Sequence, residues 1–85
     1  MPQVVMYTTG PCPYCSRAKR LLDKKGVKYE ELRVDSHPHL RPEMEKRSGR
    51  TSVPQIFIDD FHVGGFDDMA ELDMEGRLDQ LLGFA

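Results

Sequence analysis

This chain of 85 residues has no tryptophan and only two cysteines, both inside the stretch TTGPCPYCSR from Thr8 to Arg17. Two thiols cannot complete a four-cysteine zinc site within one chain. Three positions apart they close only a tiny ring, so they are a poor structural staple. Long apolar runs are missing too, and nothing approaches the roughly 18 residues of a membrane-spanning helix. The opening MPQVVMYTT has neither a basic n-region nor an apolar h-region, so no secretory signal is read there. The expected location is the cytoplasm, where lasting structural disulfides are unusual. A surplus of positive charge is also absent. Twelve Lys and Arg face fourteen Asp and Glu, a formal −2, which removes the broad basic field that nucleic acid or acidic lipid would need. No repeat, linker or low-complexity tract divides the chain. Its 39% hydrophobic and 31% charged residues fit a single soluble domain over residues 1–85.

What is present is a clear alternation of element signals. Gln3 to Thr8 (QVVMYT) is rich in β-formers and is stopped by Gly10-Pro11, which predicts a buried strand. Pro13 suits a first helical position, because its missing N–H costs nothing there. The helix it opens is predicted to reach about Lys25 and to end at Gly26. Its Cys15, Ala18, Leu21 and Leu22 fall on one side, with Arg17, Arg20 and Lys24 opposite. Lys28 to Val34 predicts a second strand. The polar DSHPHLRP then leads to a short helix over Pro42 to Ser48, acidic at its start (Glu43), basic at its end (Lys46, Arg47) and followed by Gly49. Gln55 to Asp59 and Phe61 to Gly64 predict a hairpin turning at Asp59-Asp60. Gly64-Gly65 ends it, and Asp67 and Asp68 open a helix with Met69 and Leu72 pointing inward. Gly76 interrupts before a last apolar turn of Leu78, Leu81 and Leu82.

The order β-α-β-α-β-β-α predicts a parallel pair joined by a right-handed crossover, extended by an antiparallel hairpin. The result is an α/β fold: one four-stranded mixed sheet with helices on both faces. A Cys-x-x-Cys beside a βαβ unit points to the thioredoxin-like class.

In such a fold the two sulfurs take different roles. Cys12, at the helix mouth, is the candidate attacking thiolate, and Cys15, one turn further in, the candidate resolving thiol. An ordinary thiol, with a pKa of about 8.5, is only a few per cent ionised at pH 7. Lowering it by about three units requires about 4 kcal/mol of preference for the charged form. The helix dipole normally supplies about 0.3–1 kcal/mol and rarely more than about 2. Hydrogen bonds from the free amides of Tyr14 and Cys15 must carry much of the rest. The competing readings are a pair of inert packed cysteines and a zinc site shared between two chains.

CPYC at Cys12 to Cys15 followed by SRAKRLL, SVPQIFID at Ser52 to Asp59, GGFDD at Gly64 to Asp68 and RSGR at Arg47 to Arg50 together resemble the dithiol glutaredoxins, bacterial members included. The motifs keep their order and separation over essentially the whole chain. The resemblance implies a glutathione-dependent thiol–disulfide oxidoreductase, monomeric, with glutathione as co-substrate and no tightly held cofactor or metal. Its implied partners are protein disulfides and glutathionylated proteins. It implies a cis Pro54 facing the thiols, with the Val53 backbone pairing with glutathione. Gly64 and Gly65 would turn the chain so that the amides near Phe66 and Asp67 receive the γ-glutamyl carboxylate, while Asp68 holds the ammonium. Tyr14 would flank the thiols and touch glutathione. Plain N-capping by Asp67 and Asp68 is compatible with those roles, and Pro54 as a simple strand start is the competing reading.

The sequence departs from the family in one respect. Many members carry Lys three residues before the first cysteine, and here that residue is Thr9. A higher Cys12 pKa or weaker glutathione binding is the expected consequence, with Arg41 or Arg50 as the candidate replacement cation. His37, His39 and Asp35 read as a solvated loop rather than a metal cluster, and His62 as a residue of the hairpin's outer face. Arg17, Arg20 and Lys24 read as a solvated face able to steer acidic protein disulfides. Two alternatives stay open: a ribonucleotide-reductase redoxin recycled by thioredoxin reductase, and a dimer holding an iron–sulfur cluster.

Overall fold

β1 (Val4–Thr8) is buried along its whole length, which is why VVMYT carries no polar alternation. It lies inside a sheet of order β2-β1-β3-β4, beside β2 (Glu30–Arg33) in parallel and β3 (Gln55–Ile58) in antiparallel. β4 (Phe61–Gly64) closes the antiparallel side as a hairpin with β3. The helices are α1 (Pro13–Lys24), α2 (Leu40–Ser48), α3 (Phe66–Met74) and the short α4 (Arg77–Leu81). The computed structural model describes residues 2–84; Met1 and Ala85, the ends of the expected 1–85 domain, lie outside the described residues.

Successive strand residues face opposite ways, so the sheet builds two cores. Val4, Met6, Ile56, Ile58 and Val63 pack against Ala18 and Leu22 of α1, Met69 of α3 and Leu78 of α4. Val5, Tyr7 and Phe57 pack on the other side against Val34 and the Leu40 and Met44 of α2. The mixed sheet with helices on both faces is thus the arrangement expected from the element order. Among the described residues, no helix is long and apolar enough to cross a membrane.

The boundaries differ from expectation where single residues decide them. Gln3 falls just outside β1, yet its amide donates to Asp59 Oδ1 at 2.9 Å and its carbonyl accepts from Asp59 N at 2.8 Å. Asp59 itself leaves β3 because its φ is +51°, a turn conformation that a short polar side chain tolerates. α2 starts at Leu40, two residues before Pro42. The proline is accommodated because N–H groups in the first turn have no partner within the helix. Gly76, at φ +75°, separates α4 from α3. Lys25 then ties the end of α1 to both, 2.7 Å from Asp73 and 2.7 Å from Asp79.

Candidate functional site

At the mouth of α1, Cys12 occupies the N-cap position with extended backbone, and Pro13 follows at the first helical position. The Cys12 sulfur accepts the Cys15 amide at 3.1 Å, as a capping oxygen would. The two cysteines are joined by a disulfide, their Cα atoms 5.2 Å apart. Their surroundings are unequal. Cys15 is 1% exposed and belongs to the packed side of the helix, whereas Cys12 is only half-buried.

The loop before Cys12 is anchored from β2's end. Asp35 accepts the Gly10 amide at 3.0 Å and forms a two-pronged pair with Arg33, Nε to Oδ1 at 2.9 Å and Nη2 to Oδ2 at 2.8 Å. Arg33 first, and the Gly10 amide second, hold the Asp35 carboxyl well below the usual carboxylate range. Gly10 has no side chain to meet the guanidinium, which would lie 2.7 Å from an added Cβ. Asp35 is exposed, as a solvated loop predicts, but its anchoring of Gly10 is not legible in the sequence.

Opposite the thiols runs Ser52–Pro54. The Val53–Pro54 peptide is cis, and the Val53 carbonyl oxygen lies 4.0 Å from Cys12 Sγ. Gln55, fully buried, fastens this segment: its Nε2 donates to the Ser52 carbonyl at 3.0 Å, and its Oε1 meets His62 Nε2 at 2.7 Å. His62 must therefore carry its proton on Nε2 to serve as the donor. Its ring also stacks on Phe57, centroids 4.8 Å apart, while the Arg47 guanidinium sits 4.0 Å from the Phe57 ring centre. Burial, then the nearby Arg50 charge, lowers the His62 pKa. His62 is consequently no outer-face residue. The register Phe57↔His62 turns it to the α2 side, half-buried.

The third element is the turn from β4 into α3. A register shift between Ile56 and Phe57 marks a bulge in this hairpin, and Gly64 takes φ +109° to leave it. Gly65 then caps α3. The Asp68 Oδ2 accepts the Gly65 amide at 2.9 Å and pairs with Arg50 Nη1 at 2.8 Å. Those bonds, Arg50's first, hold the Asp68 carboxyl below its ordinary value. The amides of Phe66 and Asp67 lie in the first turn, where the helix supplies no acceptor.

Tyr14, Val53, Pro54, Gly65, Phe66, Asp67 and Asp68, the residues named from the sequence for ligand contact, all line one groove of about 260 Å³, together with Arg50 and Ser52. Tyr14 is 52% exposed at its rim. Of the two cations considered in place of the missing lysine, Arg50 lines this groove, whereas Arg41 is turned to the Thr51 carbonyl at 3.2 Å. Among the described residues, no group of three or more His, Cys, Asp or Glu side chains could hold a metal ion. The arrangement offers a sulfur at a helix mouth, beside a groove with a peptide edge on one wall and helix-start amides, a carboxylate and a guanidinium on the other.

Comparison with known proteins agrees with this geometry. The glutaredoxin family model matches residues 4–63. A glutaredoxin of Pseudomonas aeruginosa is 54% identical over 82 residues, 96% of this chain and 98% of its own length. Glutaredoxin 3 of Escherichia coli is 57% identical over 82 residues, 96% of this chain and 99% of its own. Among solved structures, a buckwheat glutaredoxin–glutathione complex superposes with a TM-score of 0.89 at 29% identity, covering 96% of this chain and 77% of that one. The solution structure of a Brucella melitensis glutaredoxin gives 0.85 at 52% identity, over 96% and 89%. With its Cys-x-x-Cys at the mouth of α1 in a thioredoxin-like sheet, this chain belongs to the glutaredoxin family of thiol–disulfide oxidoreductases.

Proposed function

We propose that this protein is a glutathione-dependent oxidoreductase that reduces protein disulfides and glutathionylated cysteines through Cys12 and Cys15. The observation carrying the proposal is the inequality of the two sulfurs. Cys12 is the accessible one, receives the Cys15 amide at 3.1 Å and adjoins the groove, whereas Cys15 lies packed beneath it. A donor aimed at a sulfur favours its anion, and the thiolate is the attacking species.

In this reading the Cys12 thiolate attacks the glutathione sulfur of a mixed disulfide. The Cys12–glutathione bond forms, the old S–S bond breaks, and the protein thiolate leaves. A second glutathione thiolate attacks the glutathione sulfur on Cys12, releasing glutathione disulfide and regenerating the Cys12 thiolate. With a protein disulfide, Cys12 becomes joined to one substrate sulfur. Cys15 then attacks the Cys12 sulfur, expels the substrate thiolate and leaves the Cys12–Cys15 disulfide. Two glutathiones reduce that disulfide in turn and emerge as one glutathione disulfide.

The groove residues hold glutathione by its ends. The Val53 backbone pairs with the cysteinyl unit, as an added strand would. The Phe66 and Asp67 amides receive the γ-glutamyl carboxylate, Asp68 takes the ammonium, and Tyr14 covers the sulfurs. Arg50 stands in for part of the cation missing at Thr9. Residues 1–85 work as one domain, as a monomer in the cytoplasm, with glutathione as co-substrate and no resident cofactor.

The test is turnover of a small glutathione mixed disulfide, coupled to glutathione reductase, by wild type, Cys12→Ser and Cys15→Ser. The expected result is no turnover by the first variant and at least about a tenth of wild-type turnover by the second. Equal losses in both, or wild-type turnover that runs on thioredoxin reductase without glutathione, would overturn the proposal.

A further inference from the structure

A second groove, larger than the first at about 360 Å³, runs between α1 and α3. Arg17, Arg20 and Lys24, spaced three and four residues apart, share the helix face along one wall. Leu21, Ala70 and Met74 contribute apolar surface. Among the described residues, the only acid lining it is Asp73, whose carboxylate is already held 2.7 Å from the Lys25 ammonium. In a chain of net charge −2, this strip is therefore locally cationic with its one carboxylate matched.

The two grooves adjoin at one residue. Phe66 lines both, and Arg17 sits 5.2 Å over the ring of Tyr14, at the rim of the first. Tyr14 and Met74, 52% and 89% exposed, are large apolar side chains left to water at the two ends of the strip. An unbranched thioether adapts its shape to differing apolar partners. From residue 14 to residue 24 the helix rises about 15 Å. That is room for roughly four or five extended residues.

From these observations we infer that the α1–α3 groove receives the protein side of the substrate. It selects a segment carrying two or more carboxylates and one apolar side chain within about five residues of the cysteine being reduced. The inference rests on the function proposed above and deepens it. Glutathione occupies the first groove, and the departing protein thiol lies along the second. Arg20 and Lys24 read the carboxylates at long range, raising the rate of encounter more than the strength of holding. Met74 supplies the apolar seat.

The test uses two glutathionylated ten-residue peptides, identical except that the residues flanking the cysteine are Asp, Glu and Leu in one and Lys, Lys and Leu in the other. Wild type is expected to favour the acidic peptide at least about tenfold in kcat/KM at low salt. The doubly charge-reversed Arg20→Glu, Lys24→Glu chain should show less than about threefold preference, while its turnover of the small mixed disulfide stays within about twofold of wild type. Equal use of both peptides by wild type, or an acidic preference that survives the charge reversal, overturns the inference. So does competition against the acidic peptide by acidic-lipid vesicles or a single-stranded oligonucleotide at equal concentration, or a dimer in sedimentation that the double variant dissolves. Failure of the underlying function is told apart, since wild type would then leave even the small mixed disulfide unreduced.

Discussion

Two neighbouring glycines should respond oppositely to the same methyl group. At Gly64, φ is +109°, a region that side-chain-bearing residues enter at a cost of about 1–3 kcal/mol. An added Cβ would press on the Asp68 carboxylate, 2.8 Å from its Cγ, and lie 3.1 Å from Arg50 Nη1. Asp68 would have to abandon the Gly65 amide, a cap of about 1 kcal/mol. Its pairing with Arg50 adds less, because both side chains are well exposed. Gly64→Ala is therefore expected to lose about 2–4 kcal/mol and to raise the glutathione KM several-fold. At Gly65, φ is −90° and the nearest atom to an added Cβ is the Pro54 carbonyl oxygen at 3.6 Å, an ordinary contact. Gly65→Ala should lose only the difference between two capping residues, about 1 kcal/mol or less. For a domain of this size each kcal/mol moves Tm by about 4–8 °C. Urea and thermal unfolding of the two oxidised variants, followed by glutathione titration in the coupled assay, measure both effects. Equal stability of Gly64→Ala and Gly65→Ala would refute the strain-and-collision argument. A destabilised Gly64→Ala with wild-type KM would refute the placement of Asp68 in the glutathione site.

Removing the buried amide with Gln55→Leu leaves the Ser52 carbonyl and His62 Nε2 without the bonds they make at 3.0 and 2.7 Å. The expected cost is about 1–3 kcal/mol, with a several-fold rise in glutathione KM and little change in kcat, because the loosened segment is Val53's. Unchanged KM would show that Gln55 supports the fold alone. The Asp68 carboxyl, held low by Arg50 and the Gly65 amide, adds stability that is full above its unfolded value near 3.9 and drains away as pH falls through its folded value. Wild type should thus lose more stability between pH 5 and pH 3 than Asp68→Asn does, in urea titrations at each pH. Parallel losses would remove Asp68 from the account.

Which of these features the sequence discloses depends on how far apart in the chain the interacting groups lie. Val4 to Thr8 declares a strand buried on both faces, and Pro13 with Gly26 brackets α1, because such preferences are set by each residue's own backbone and its nearest neighbours. The family resemblance carried by three short motifs likewise names seven of the nine residues that line the groove. Side-chain partners across the fold are another matter. Arg50 reaches Asp68, 18 residues on, only because the sheet order sets β4's exit beside the loop before β3. His62 turns inward because Phe57, not Ile58, stands opposite it, a matter of register that either alternation pattern would permit. Asp35 was hidden for the same reason, its partner Gly10 being 25 residues away.

The question whether Asp68 caps a helix or serves a ligand dissolves at the level of atoms. Gly65 N and Arg50 Nη1 both address Oδ2, so capping and ion pairing use one oxygen of the carboxylate. In the proposed role the ammonium of glutathione needs only the other. A carboxylate fixed by its own helix and by a guanidinium cannot swing away when the ligand leaves, so little ordering remains to oppose binding. Substitution by Asn preserves an acceptor for Gly65 but removes the charge. Asp68→Glu keeps the charge and moves it one methylene away from the cap. If the fixed position matters, Asp68→Glu should raise the glutathione KM nearly as much as Asp68→Asn. If charge alone matters, Asp68→Glu should bind as wild type does, and the rigidity argument falls.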